Sequence, residues 1–153
     1  MKLLMEIIKR LSLPSEWKAR IACFFQAKFT ISSIVVIFNK KKEVLLFYHT
    51  YREKPWGLPG GFLKSGEHPT ASIIREVFEE SGYKITKLKQ FSILVDKSIR
   101  RLIVCYITNN CEGIFKPSKE VSEAKYFSLD KLPILPSRQV KTIMDSLKIL
   151  VKN

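Results

Sequence analysis

The sequence predicts an α/β sandwich. Three observations carry that prediction: several short runs rich in β-branched and apolar residues, helical segments toward both ends, and an amphipathic helix in the middle. At 153 residues the chain suits one domain with a real hydrophobic core. It shows no internal repeat, low-complexity tract or domain linker. The expected division is a helical extension over residues 1–28 and one folded domain over residues 29–153.

Residues 1–28 read as two helical pieces broken near Ser12-Leu13-Pro14-Ser15, with Ser15 placed to cap the second. That second piece carries Trp17, Ile21, Phe24, Phe25 and Phe29. These are expected to pack within the chain rather than against a membrane or a second copy. Ile31 to Phe38 reads as a buried strand. Asn39-Lys40-Lys41-Lys42 is a turn, and Val44 to Tyr51 is expected to pair back on the first strand. Arg52 to Gly61 holds two prolines and three glycines, which makes it a shaped loop or short irregular strand. Pro69 suits the first turn of a helix running to Ser81, and Gly82 stops it. Ile73, Ile74, Val77 and Phe78 form its apolar stripe. Phe91 to Val95, Leu102 to Thr108 and Lys125 to Leu129 read as three further strands. A last helix runs from Arg138 to Val151, with Val140, Ile143, Met144, Leu147 and Leu150 inward.

The formal net charge of +13 favours polyanionic partners: phosphorylated small molecules, RNA or an anionic membrane. The basic residues are spread along the chain, and no RNA-recognition signature or helix-turn-helix pattern is present, so RNA is admitted by charge but supported by no motif. Three cysteines, Cys23, Cys105 and Cys111, cannot all pair within one chain and fit no zinc spacing. Free thiols point to a reducing, cytoplasmic setting. No run of apolar residues is long enough to span a bilayer. Glu6, Lys9 and Arg10 interrupt the apolar N-terminus, which reads as a helix and not as an export signal.

The segment from Gly61 to Tyr83 carries the chemistry. Glu76, Glu79 and Glu80 stand at i, i+3 and i+4, on one face of a helix. Like charges there repel by roughly 0.2–0.5 kcal/mol per pair, so the cluster costs stability. Hard oxygen ligands on one face suit a divalent cation such as Mg²⁺.

This segment resembles the Nudix box of MutT-like hydrolases: Gly61, then Glu67, Arg75-Glu76, Val77, Glu79-Glu80, Gly82 and Tyr83 at the family spacing. Tyr83 departs from the usual aliphatic residue. Trp56-Gly57-Leu58-Pro59-Gly60-Gly61 resembles the family's approach to the box, and Tyr126 to Pro133 its closing strand and turn. The resemblance covers roughly residues 30–150. It implies a Nudix fold, an α/β/α sandwich with a mixed central sheet. It also implies hydrolysis of a diphosphate linkage in a nucleoside diphosphate derivative, with Mg²⁺ as cofactor and Mn²⁺ as substitute. Homodimers are common among such proteins.

On that resemblance Glu76, Glu79, Glu80 and the Gly61 carbonyl are the expected metal ligands, with Glu76, Glu79 and Glu120 the catalytic residues. Arg75 is placed to brace Glu79, and Glu67 to neutralise Arg75 or cap the helix. The general base is expected outside the box, with Glu120 favoured over Glu123. Arg52 and Trp56 are candidate substrate contacts, Arg52 for phosphate and Trp56 for stacking on a base; Lys54, Arg100 and Arg101 are further candidates for phosphate. The arginines and Lys54 read first as surface charges, and Trp56 first as a core residue. His49 and His68 receive no role. Marks of ADP-ribose, diadenosine polyphosphate, coenzyme A and NADH hydrolases are absent downstream of the box. The alternatives are an RNA 5′-pyrophosphohydrolase and a non-catalytic binding module.

Overall fold

The computed structural model describes Glu6 and residues 14–150. The first helical piece expected before Ser12, apart from Glu6, and the last residues of the chain lie outside the described residues.

Helix α1 (Ser15–Phe24) precedes the sheets. Pro14, not Ser15, stands at its cap: the Pro14 carbonyl accepts from the Trp17 and Lys18 amides, which puts Ser15 inside the first turn. No residue of α1 is buried. Trp17 is 58% exposed and Phe24 71%, so the expected packing of this face within the chain is not found. Arg20 lies over the Trp17 ring and Lys28 over that of Phe24.

Among the described residues nine strands follow: β1 (Thr30–Ile37), β2 (Val44–His49), β3 (Trp56–Gly57), β4 (Gly60–Phe62), β5 (Lys84–Thr86), β6 (Lys89–Asp96), β7 (Arg101–Thr108), β8 (Asn110–Glu112) and β9 (Val121–Phe127). Helix α2 (Pro69–Ser81) joins β4 to β5, and α3 (Ser137–Leu150) follows β9. The larger sheet has the order β4-β1-β7-β6 and is mixed, because β1 and β7 run parallel while the other pairs are antiparallel. A second sheet has the order β3-β2-β9, and β5 pairs with β8.

The expected hairpin between β1 and β2 is not formed. A strand has two edges, and β1 gives its edges to β4 and β7 while β2 gives its own to β3 and β9. Only a single Phe38–Val44 bridge joins them, beside the turn closed by Asn39 Oδ1, which accepts from the Lys41 and Glu43 amides. Strand β9 begins at Val121 rather than Lys125, and exposed Ser122 and Glu123 on it concealed its start.

The near-continuous apolar runs of β1 and β2 have a direct cause: both faces of each strand are covered. Val35, Ile37, Leu45 and Phe47 pack toward Ile73 and Val77 of α2. Val36, Phe38, Val44 and Leu46 pack on the other side with Leu58, Leu135 and Ile143, the last from α3. The result is the α/β/α sandwich, with α2 and α3 on opposite sides. On α2 the apolar stripe is narrower than expected, since Ile74 and Phe78 are exposed. On α3 Met144 is exposed rather than inward. Among the described residues no helix is long and apolar enough to cross a membrane.

Candidate active site

Helix α2 is held at both ends by local chemistry. His68 Nδ1 accepts from the Thr70 amide, Pro69 occupies the first turn, and Gly82 takes a left-handed conformation (φ 73°) while its amide donates to the Phe78 carbonyl. The helix cap is therefore His68, not Glu67. Between these ends, Arg75 organises the acids. Its Nε and Nη2 donate to the two oxygens of Glu67, each at 2.8 Å. Its Nη1 donates to Glu76 at 2.7 Å and Glu79 at 2.9 Å, and Nη2 also reaches the Phe62 carbonyl at 3.1 Å. Hydrogen bonding from Arg75 and from the Lys64 amide lowers the Glu67 carboxyl to about 2.

The three box acids do not point the same way. Glu76 and Glu80, at i and i+4, line a cavity of about 800 Å³ together with Gly60, Gly61 and Glu120. Glu79 is 52% exposed and turned toward Arg75 and the Lys64 ammonium, 3.5 Å away. The i+3 position rotates to the opposite side of Glu76 from i+4, and Arg75 captures it there. Glu80 is 6% exposed, and burial pushes its carboxyl up to about 8. Glu76 and Glu120 add to that rise, while the Gly60 amide and Arg52 oppose it.

Glu120 is exposed at the mouth, on the loop before β9. Ser118 Oγ accepts from its amide and that of Val121, and its carbonyl accepts from the Thr50 amide. Glu123 sits on β9 opposite Tyr48 and does not line the cavity. Arg52 and Arg101 do line it, and Arg101 lies over the Phe62 ring, 4.5 Å from its centroid. Lys54 and Arg100 are exposed and do not line it. Trp56 is also outside it: the ring packs between Tyr48 and Phe127 at 5.3 and 4.8 Å, in the core beside α3. Of the two roles its sequence position allowed, stacking on a base and core packing, the structure shows the second, the one favoured: β3 turns the ring away from the cavity.

Sequence reading missed the contribution of α3. Arg138 and Gln139 line the cavity; Arg138 pairs with Asp96 at the end of β6, and Gln139 Oε1 accepts from the Leu58 amide at 2.8 Å. No local pattern signals a pair separated by 42 positions. His49 was missed as well. It is wholly buried, with Nδ1 4.0 Å from Glu80 Oε1, and burial, with help from Arg52, lowers it to about 4.

Among the described residues no three His, Cys, Asp or Glu side chains converge on one point as they stand. The donor set nevertheless fits a hard cation. Glu80 Oε2 is buried without a hydrogen-bond partner. Gly61 packs so closely on Glu76 that a side chain there would overlap the carboxylate. Two carboxylates and a close backbone are ligands of the type Mg²⁺ takes.

Comparison with known proteins agrees with this architecture. The chain is 30% identical over 105 residues to the NAD-capped RNA hydrolase NudC of Klebsiella pneumoniae, covering 67% of this chain and 41% of that protein. It is 28% identical over 102 residues to the enzyme of the same name from Vibrio vulnificus, covering 65% and 39%. The matches thus span about two-fifths of those relatives' own length. The NUDIX domain of Shewanella oneidensis NrtR, solved with ADP ribose, superposes with a TM-score of 0.70 at 19% identity, covering 90% of this chain and 99% of that one. The NUDIX domain profile matches residues 28–146. The mixed sheet between two helices, the Gly61–Tyr83 segment on β4 and α2, and that match over most of the chain establish that this protein belongs to the NUDIX domain family.

Proposed function

We propose that this protein hydrolyses a diphosphate linkage in a nucleoside diphosphate derivative, with Mg²⁺ held by Glu76, Glu80, Glu79 and the Gly61 carbonyl. One observation carries the reading. One cavity is lined by the acids Glu76, Glu80 and Glu120 and by the guanidinium groups of Arg52, Arg101 and Arg138, the last paired with Asp96, which also lines it. That polarity suits an anionic diphosphate bridging a cation and basic side chains.

When bound, the ion would neutralise phosphate charge and acidify the attacking water. The chain's own residues do the rest. Glu120, exposed at the cavity mouth, accepts the proton that water loses as its oxygen bonds to phosphorus. The bridging P–O bond breaks, and the leaving phosphate carries away the electron pair. Arg75 and Glu67 lock Glu76 in place, so the ligand does not reorient during turnover. Arg52 and Arg101 neutralise the substrate's remaining charge.

A second reading, cleavage at an RNA 5′ end, is favoured by the names of the NudC relatives and by the +13 charge. A panel of nucleotide sugars, ADP-ribose, dinucleoside polyphosphates, nucleoside triphosphates, NAD-capped RNA and 5′-triphosphorylated RNA, each with and without Mg²⁺, tests both. Metal-dependent release from a small nucleotide class supports the first reading. Selective cleavage of RNA ends, falling steeply with salt, supports the second. Silence on every substrate by folded protein would overturn both.

A further inference from the structure

His49 stands at the end of β2, where the pairing with β9 slips between Tyr48 and His49. Such an irregularity re-aims the side chain that follows it. The backbone there is fixed, because the His49 amide donates to the Pro55 carbonyl at 2.8 Å. The ring sits edge-on to Tyr51, 5.8 Å between centroids. It is wholly buried, yet neither ring nitrogen has a hydrogen-bond partner among the described residues, and Nδ1 lies 4.0 Å from Glu80 Oε1. Glu80 is itself buried, and its Oε2 also lacks a partner.

Two buried polar side chains left facing each other call for a physical reason, since an apolar ring at position 49 would fill the same space without an orphaned nitrogen. A neutral imidazole carries one N–H, and of the two groups here only the carboxylate can accept it. We propose that His49 is a positioning residue for Glu80: its Nδ1 edge, 4.0 Å from Oε1, orients the carboxylate and leaves Oε2, which has no hydrogen-bond partner among the described residues, to turn toward an ion beside Glu76 and Gly61. This rests on the reading of Glu80 as a metal ligand.

The test measures Mn²⁺ affinity of the full chain by titration calorimetry, alongside the melting temperature in EDTA. The variants are His49→Phe, His49→Asn, His49→Gln, Glu80→Gln and the His49→Phe/Glu80→Gln pair. His49→Phe keeps the packing and should weaken Mn²⁺ binding by about 10-fold or more, the usual cost of losing an outer-shell partner. Its melting temperature in EDTA should stay level or rise, which a purely structural histidine would not allow together with lost affinity. Asparagine places its amide nitrogen near the position of Nδ1 and should restore binding; glutamine, which reaches the position of Nε2, should not. The double variant should bind no worse than Glu80→Gln alone.

Wild-type affinity in His49→Phe, with affinity lost in Glu80→Gln, would overturn the role of His49 alone. Wild-type affinity in Glu80→Gln would overturn the ligand reading beneath it. Should His49→Phe fail to fold, the asparagine and glutamine variants decide, and equal affinities in those two would overturn the proposal.

Discussion

Arg75 and Glu67 meet fork to fork, Nε on Oε1 and Nη2 on Oε2, both at 2.8 Å. They are eight residues apart and on different elements, so the pair ties the loop after β4 to the helix that bears the acids. The Lys64 amide closes that loop on the same carboxylate at 2.8 Å. Arg75 then hands two further bonds to Glu76 and Glu79. Loss of Glu67 would therefore reach the proposed site through Arg75, without touching the cavity.

The pair predicts an acid-dependent stability. Glu67 titrates at about 2 in the folded protein against 4.5 when free. A depressed acid contributes stability that is complete above its unfolded value and lost as pH falls through its folded one. Urea titrations of wild type and Glu67→Gln should differ at neutral pH, with wild type the more stable, and converge as pH falls from about 4.5 toward 2. A gap that stays constant over that window would separate Glu67 from the stability of this loop.

Gly61 predicts a steric effect confined to the site. A methyl group there would overlap the Glu76 carboxylate, and Glu76 is held by Arg75 and cannot simply swing away. Gly61→Ala should fold, with destabilisation of about 1–3 kcal/mol as for other overpacked sites. Its Mg²⁺-dependent turnover should fall by more than the ~10–100-fold typical of outer-shell changes. Full activity in Gly61→Ala would exclude a tight Gly61–Glu76 arrangement in the working enzyme.

The basic wall predicts a split between binding and chemistry. Arg52 rests on Tyr51, and Arg101 Nε is buried without a hydrogen-bond partner among the described residues. Arg52→Ala and Arg101→Ala should raise KM more than they lower kcat, because on the proposed reading both groups meet substrate charge away from the attacked phosphorus. Equal falls in kcat and kcat/KM would place them at the transition state instead.

The box was legible in sequence because its chemistry is local: Gly61, Glu67, Arg75, Glu76, Glu79 and Glu80 lie on β4, α2 and the short loop between them, and helical periodicity orders four of them. The first turn, stop and length of α2 were legible for the same reason, as Pro69 and Gly82 act on their own backbone; its cap, His68, was not. What failed is non-local. The β1–β2 hairpin was read from adjacency, but β4, β7 and β9, whose paired residues lie 26 to 83 positions away, take the edges it needed. Arg138 reaches the cavity only because β6 and α3 cross, and Trp56 leaves it because β3 lies on the second sheet. His49 carried no motif; its burial against Glu80 appears only once β2 and α2 are packed together.

Glu79 predicts that metal binding competes with an ion pair. Its carboxylate stands half exposed between Arg75 and Lys64, and joining Glu76 and Glu80 on one ion requires it to leave Lys64. An exposed pair of this kind is worth about 0–1 kcal/mol, so Lys64→Gln should tighten Mn²⁺ binding by up to about fivefold. Removing a positive charge near any cation site would also tighten binding, and the double variant separates the two causes. In a Glu79→Gln background, Lys64→Gln should give no gain, because no carboxylate remains to be released. Both Glu79→Gln and Glu80→Gln should abolish turnover, the first while leaving the metal-free melting temperature unchanged, since Glu79 is exposed. Should Lys64→Gln tighten Mn²⁺ equally in both backgrounds, Glu79 is not recruited from Lys64. The ion would then rest on Glu76, Glu80 and the Gly61 carbonyl without it.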